Sequence, residues 1–394
     1  MPIFRPYLPE QAELLPRDVR TELGEEHLCF LIHEIVESWD IGEFIAAYSE
    51  QGGETAYHPR MMLKVLLYGF AVKVKSTRKL EQRTKEDLAF RYLAANAHPD
   101  HKTINLFYRR HEQAIRNLFV QALGMVRAAG MARLGLVAID STRIKANASR
   151  EKRILRRRDL EKVLEWEKNL EQDSDGMPGM SVSAEDKQRL REQLQRLQDA
   201  GESKLSETDP DARFVRDSQG GFLLGYTAEV AVTEDHFIAA VNVSQSKSDN
   251  HALVPMVEQL EQHYQQPPES VLADAGFFSK SNLEEMEKRG IDAYIPDSNM
   301  AKEIKHGATA DQQKPTSDPR MLGMRKKLRT PEGRERYRKR KSLVEPVFGT
   351  LKEQRGMRQF QRRGLAKVTV EFTLAALAFN LTRLHSLRRL GREV

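Results

Sequence analysis

Three carboxylates in this 394-residue chain stand where acid chemistry would need them. Asp140 closes the apolar run LGLVAID (134–140), Asp274 lies in SVLADAG (270–276), and Glu345 sits in the basic stretch YRKRKSLVEPVFGTLKEQRG (337–356). An acid at the end of a buried strand is costly unless a cation or hydrogen bonds compensate. Taken singly, each reads first as a helix cap or a solvated strand-end residue and only second as a ligand. Taken together, at separations of 134 and 71 residues, they form an oxygen-only ligand set. With no cysteine or histidine cluster beside it, such a set selects hard cations, Mg²⁺ or Mn²⁺. Two such ions roughly 4 Å apart can activate a water or a 3′-hydroxyl and stabilise the leaving oxygen in phosphodiester displacement. Helical spacing places Arg338, Lys341, Glu345 and Lys352 on one face, so the acid is surrounded by groups suited to phosphate. Arg355 in the same stretch, and Lys145 after the first acid, are further candidates for DNA contact. Pro346 biases Glu345 away from helical geometry, so a helix either begins or kinks there, and Glu353 is the alternative third acid.

Composition supports a polyanionic partner. From Met321 to the C-terminus there are 20 Lys or Arg against 6 Asp or Glu, a net of +14. The whole chain carries +6, so the other 320 residues carry the difference, −8. A basic end on an acidic body points to nucleic acid more than to a membrane surface, because the densest basic segment lacks a broad apolar face. No run reaches the ~18 apolar residues of a membrane span. MPIFRPYLPEQAELLP lacks the pattern of a secretory signal. The single cysteine, Cys29, excludes an intramolecular disulfide and a cysteine-rich zinc site. These features suit an intracellular protein.

The elements that must position the acids follow from periodicity. Residues 1–132 read as helical, with a 3.6-residue apolar repeat in 28–48, a Pro59 helix start, caps at Ser76 and Asp87, and one long helix from Thr103 to Gly130. Thr103, Asn105, Arg109 and Arg110 near that start suit a helix-turn-helix-like DNA reader as well as an ordinary bundle. From 133 the pattern changes to short apolar strands: LGLVAID, the hairpin pair GFLLGYTAEVAVT and HFIAAVNVS around Glu234-Asp235, SVLADAG and IDAYIP. A charged segment, 151–207, reads as a projecting helical hairpin with sparse leucines. Asn250 is a candidate cap for the helix after the hairpin strands. Residues 297–330 read as an irregular, mobile basic loop over DNA, and the last helices occupy about 331–392.

The sequence AIDST, then GYTAEVAV, LADAGF and VEPVFGTLKEQRGMRQFQRRG, in that order, resembles a DDE transposase of a bacterial insertion sequence. HPRMMLKVLLYG and PDHKTINLFYRRH are similar to the helical region such proteins carry ahead of the core. The resemblance implies a ribonuclease-H-like α/β catalytic domain at 133–394, with the 151–207 insert and basic C-terminal helices, behind an all-α DNA-binding domain at 1–132. It implies that Asp140, Asp274 and Glu345 bind the metal ions, two in number, and that Lys352 contacts DNA near the cleaved end. It further implies element ends and target DNA as partners, a homodimer or higher assembly on DNA, and a cytoplasmic, nucleoid-associated location in a bacterium. In two respects the chain departs from the family: Tyr and Arg are expected seven and four residues before the Glu, where Arg338 and Lys341 stand, with Tyr337 one residue off, and Pro346 directly follows Glu345.

Overall fold

The computed structural model describes residues 18–48, 56–172, 183–216, 220–306 and 316–391. The N-terminal stretch read for a signal, the loop inside the helical hairpin, and the centre of the 297–330 segment lie largely outside the described residues.

The first region is helical, as its periodicity requires. It comprises α1 (Val19–Leu23), α2 (Leu28–Ser38), α3 (Gly42–Ala46), α4 (Pro59–Ala71), α5 (Thr77–Glu86), α6 (Leu88–Leu93), α7 (His101–Arg110) and α8 (Glu112–Ala128). Asp87 caps α6 by accepting from the amides of Ala89 and Phe90, whereas Ser76 precedes α5 without a side-chain cap bond. The expected long helix from Thr103 is two helices. His111 leaves helical geometry between them (φ −117°, ψ 26°), and its buried ring packs on Phe44 and Phe107. Tertiary burial of one ring outweighs the continuous helical propensity there.

Then come β1 (Leu136–Lys145), β2 (Ile154–Arg156), α9 (Arg157–Gln172), α10 (Ala184–Asp199), β3 (Lys204–Ser206), β4 (Arg213–Arg216), β5 (Phe222–Thr233) and β6 (Ile238–Ser244). They are followed by α11 (Leu253–Tyr264), β7 (Ser270–Ala273), α12 (Lys280–Lys288), β8 (Asp292–Tyr294), α13 (Ser298–His306), α14 (Pro319–Arg329), α15 (Pro331–Gly349) and α16 (Leu365–Arg389). The main sheet runs β6-β5-β1-β7-β8, with β4 continuing the β6 edge of β5. β5 is antiparallel to both β6 and β1, while β1, β7 and β8 are parallel. That order and mixture of directions is the ribonuclease-H-like sheet. The insert folds as expected into a helical pair, closed at its root by β2 and β3 and packed around Leu160, Leu197 and Leu205.

Three expectations are corrected. Asp140 is not at a strand end: β1 continues to Lys145 because β5 pairs with it as far as Gly225. Asn250 does not cap α11; it lies in a 3₁₀ turn, Asp249–His251, that precedes the helix. Much of 297–330 is helical rather than a loop, and its basic groups serve the fold. Arg325 is buried against Asp297 at 2.6 Å, and Lys327 pairs with Asp292 over the Tyr294 ring.

One hydrophobic core runs through both regions. α16 is long and apolar enough to cross a membrane by length and composition, yet it is mostly buried as the central core helix, packed against α4, α8 and β6. Polar ties reinforce the junction. Lys75, just after α4, reaches the fully buried Glu371 of α16 at 3.4 Å, and Glu371 also accepts from the amides of Gln361 and Arg362. Burial lowers the Lys75 ammonium and raises the Glu371 carboxyl from their usual values, so each group depends on the other to stay charged. Removing one partner strands a buried charge, which typically costs about 3–5 kcal/mol. Lys75→Met is therefore expected to lower unfolding stability by about that amount in urea titrations, and Glu371→Gln, which keeps an acceptor for the two amides, by less.

Candidate active site

The site is made by strand register. β1 and β7 pair in parallel from Leu136↔Ser270 to Ile139↔Ala273, and there β7 ends. The next residue on each strand is an aspartate, Asp140 and Asp274, so both carboxylates leave adjacent strands on the same face. Asp140 Oδ1 accepts from the Ser141 amide at 2.8 Å, and its Oδ2 receives the Arg340 guanidinium at 2.7 Å. Asp274 Oδ1 accepts from the Gly276 amide at 2.8 Å, starting a 3₁₀ turn. Burial pushes the Asp140 carboxyl up to about 6; Arg340 opposes this, and Asp274 and Asp249 add to it. Asp274 is raised for the same leading reason, burial, again opposed by Arg340. Two half-buried carboxylates that resist ionisation, served by one shared guanidinium, suit a hard divalent cation. Their oxygens are the right donors for one, and a cation there would remove the repulsion.

Glu345 is not brought to this pair. It is exposed on α15, and the side chains that α15 turns to the aspartates are Tyr337 and Arg340. Five residues on, Glu345 stands roughly 140° round the helix from Arg340 and about 7.5 Å along it. The helix neither begins nor ends at Pro346 but runs through it, then passes into a single π-type turn, Thr350–Gln354. Glu353, the alternative acid, is exposed and paired with Arg358. Among the described residues, no three acidic, histidine or cysteine side chains gather as a ready cation site.

Two residues were missed in the sequence. Arg340 could have been found: Leu343, Val344, Val347 and Leu351 define the buried side of α15, and stepping back four and three residues from Val344 reaches Arg340 and Tyr337. The one-residue offset from the family spacing is thus met by Tyr337 and Arg340 facing the site. Asp249 carried no comparable signal. Its Oδ1 accepts from Ser141 Oγ at 2.8 Å and Arg143 Nη1 at 2.9 Å, and Arg143 also donates to Thr227. A Cβ on Gly276 would lie 2.9 Å from Asp249 Oδ2 and 3.0 Å from Asp274 Oδ1, so the absence of a side chain lets the two acids approach. Behind them Glu229 is fully buried, pushed up to about 8 by burial, with Ser244 donating to one oxygen at 2.7 Å.

The phosphate-binding candidates divide. Arg338 and Lys341 are exposed on α15, Lys145 is exposed at the end of β1, and Lys352 is half-buried on the π-type turn. Arg355 is corrected: it is buried, donating to the Ala71 carbonyl and, at 2.6 Å, to Thr382 Oγ1. It terminates α4 and ties it to α16, leaving no guanidinium for DNA.

A ribonuclease-H-like sheet bearing paired aspartates where the parallel pairing of two strands ends defines a class of nucleic-acid-processing enzymes. Residues 133–381 match the family described as Transposase DDE domain, and residues 17–110 match one described as Transposase domain (DUF772). The chain belongs to the DDE transposase family and is a DNA transposase; that family comprises nucleases and strand transferases that typically use divalent metal. No curated protein matches the chain. Solved structures align with low scores. A pre-cleavage Mos1 transpososome shares 8% identity over 96% of this chain and 99% of its own, with a TM-score of 0.21. A Mos1 paired-end complex with the left transposon end shares 10% over 92% and 99%, at 0.20. Backbones at such scores do not superpose, and it is the strand order and register that define the fold here.

Two predictions follow from the geometry. Between about pH 4 and 6 the folded chain holds a proton on Asp140 that the unfolded chain has released. In EDTA, Asp140 therefore contributes a loss of stability as pH rises through that window, to which the raised carboxyl of Asp274 adds, and Asp140→Asn should show a smaller fall than the wild type when urea midpoints are compared across pH. Gly276→Ala should displace the carboxylates and cut DNA cleavage by about 100-fold with the thermal midpoint little changed.

Proposed function

We propose that this transposase binds the terminal inverted repeats of its element, hydrolyses a phosphodiester at each end, and joins the freed 3′-hydroxyls to target DNA. The observation that carries the reading is the adjacent, half-buried pair Asp140 and Asp274, whose charges call for a cation. Asp140 and Asp274 would hold Mg²⁺ or Mn²⁺, two ions with Glu345 as the third acid. Such ions supply activation of the attacking hydroxyl and stabilisation of the leaving oxygen. The chain's own groups bind and orient. Arg340 already places a guanidinium beside Asp140, and its planar fork suits a phosphate oxygen as well as a carboxylate. Arg338, Lys341, Lys352 and Lys145 would hold the DNA backbone, contacts that position without reading sequence. Joining two ends calls for a dimer or larger assembly on DNA.

The alternative reading is a non-catalytic DNA-binding or regulatory protein derived from a transposase. The observation in its favour is that Arg340 occupies Asp140 while Glu345 points elsewhere. Cleavage of labelled DNA bearing the element's ends, with Mg²⁺ and with EDTA, decides between them. Metal-dependent nicking lost to background in Asp140→Asn, Asp274→Asn and Glu345→Gln is the expected result. Binding without nicking in the wild type would establish the regulatory reading. Nicking that survives Glu345→Gln but not Asp249→Asn would move the third acid to Asp249.

A further inference from the structure

The segment 356–363 is a strap laid between the end of β1 and the N-terminal helices. On one side Lys145 exchanges backbone bonds with it, donating to the Arg358 carbonyl at 3.2 Å and accepting from the Phe360 amide at 2.9 Å. Asn147 and Arg363 extend that pairing, with Asn147 Nδ2 donating to the Gln361 carbonyl at 2.6 Å and Arg363 Nε to the Asn147 carbonyl at 2.9 Å. On the other side Lys75 donates to the Gln359 carbonyl at 3.0 Å. Arg362 lies 3.5 Å above the Tyr108 ring and donates to Asn105 at 3.1 Å.

These contacts align two sets of cations. Lys145 and Arg363 are exposed on the β1 side of the strap. On α7, Lys102, Asn105 and Arg109 are exposed at i, i+3 and i+7, one stripe of a helix, and Asn105 is the member that Arg362 touches. Lys145, Lys102 and Arg109 enter none of the ion pairs formed among the described residues, whereas nearby Arg358 is neutralised by Glu353. From Asp140 to Lys145 is five residues of β1, roughly 17 Å, or about five phosphates of one DNA strand.

We propose that the end of β1, the strap and α7 form one continuous phosphate-binding surface, on which duplex DNA extending from the cleavage site is held. The helical region thus contributes to the same DNA track as the catalytic sheet and does not act as a separate reader. The surface rests on the reading of Asp140 as the cleavage site, but its test is independent of catalysis.

The test is the salt dependence of binding by the full chain to a fluorescent duplex of about 30 base pairs, in EDTA, between about 50 and 200 mM salt. Each phosphate contact contributes about 0.9 to the slope of log K against log salt. Lys145→Gln with Arg363→Gln should make the slope shallower by about two, and so should Lys102→Gln with Arg109→Gln, the four together by about four. Arg363→Lys, which keeps the charge, should retain the wild-type slope. Arg191→Gln with Arg196→Gln, on the helical insert, should leave it unchanged. An unchanged slope in the α7 pair overturns the proposal, as does an equal loss in the insert control or a flat slope in the wild type. Slopes as expected beside a wild type that does not cleave would sink the catalytic reading and leave this surface standing.

Discussion

A parallel strand that stops one residue short of an acid is the constraint on which this site depends. β1 has β5 from Val137 to Lys145 but β7 only to Ile139, so the sheet opens on one side where Asp140 and Asp274 emerge. The two carboxylates are adjacent because of backbone hydrogen bonding, not because they attract anything. Their repulsion and burial are then a debt that other parts of the fold must offset, and α15 is placed to do so. Its apolar stripe docks on the sheet and carries Arg340 to Asp140. The same logic explains Asp249, which is tolerated beside the pair because Arg143 and Ser141 neutralise and bind it from the opposite side of β1.

The helical region and the sheet are held in fixed relation by buried polar contacts of a kind that water cannot easily replace. Lys75 with Glu371 and Arg355 with the end of α4 cross the junction, where the surrounding core is apolar. Such pairs contribute little net stability against a hydrophobic alternative but strongly penalise separation. A polar lock of this sort specifies orientation, and orientation is what a protein acting on a rigid duplex requires of its parts.

How much of this was legible in the sequence follows from which interactions are local. The strands around Asp140, Asp274 and the β5–β6 hairpin were readable because apolar runs and turn residues act within a few positions. The helical insert came from the same kind of signal, whereas the ribonuclease-H-like class came from the resemblance of the ordered motifs to DDE transposases. What escaped was set by long-range partners. The extension of β1 depends on β5, some 80 residues away, and the break at His111 on a ring pocket formed with Phe44. Arg355 looked like a surface cation because it lies in a polar stretch with Lys352 and Arg358 three residues to either side; only the fold brings the α4 carbonyl to it. The position of Glu345 shows the opposite failure, since its helical face was inferred from charge spacing when the apolar stripe was the stronger guide to which side of α15 meets the sheet.

The two-stranded root of the insert has a further consequence. Because Ile154 faces Ser206 across β2 and β3, the chain enters and leaves the helical arm at nearly one point. The arm's small leucine core is separate from the main one, so changes in its length or composition are insulated from the strands bearing the aspartates. Such an appendage can diverge quickly between related elements while the catalytic sheet stays put, which makes it the natural place for lineage-specific contacts to accumulate.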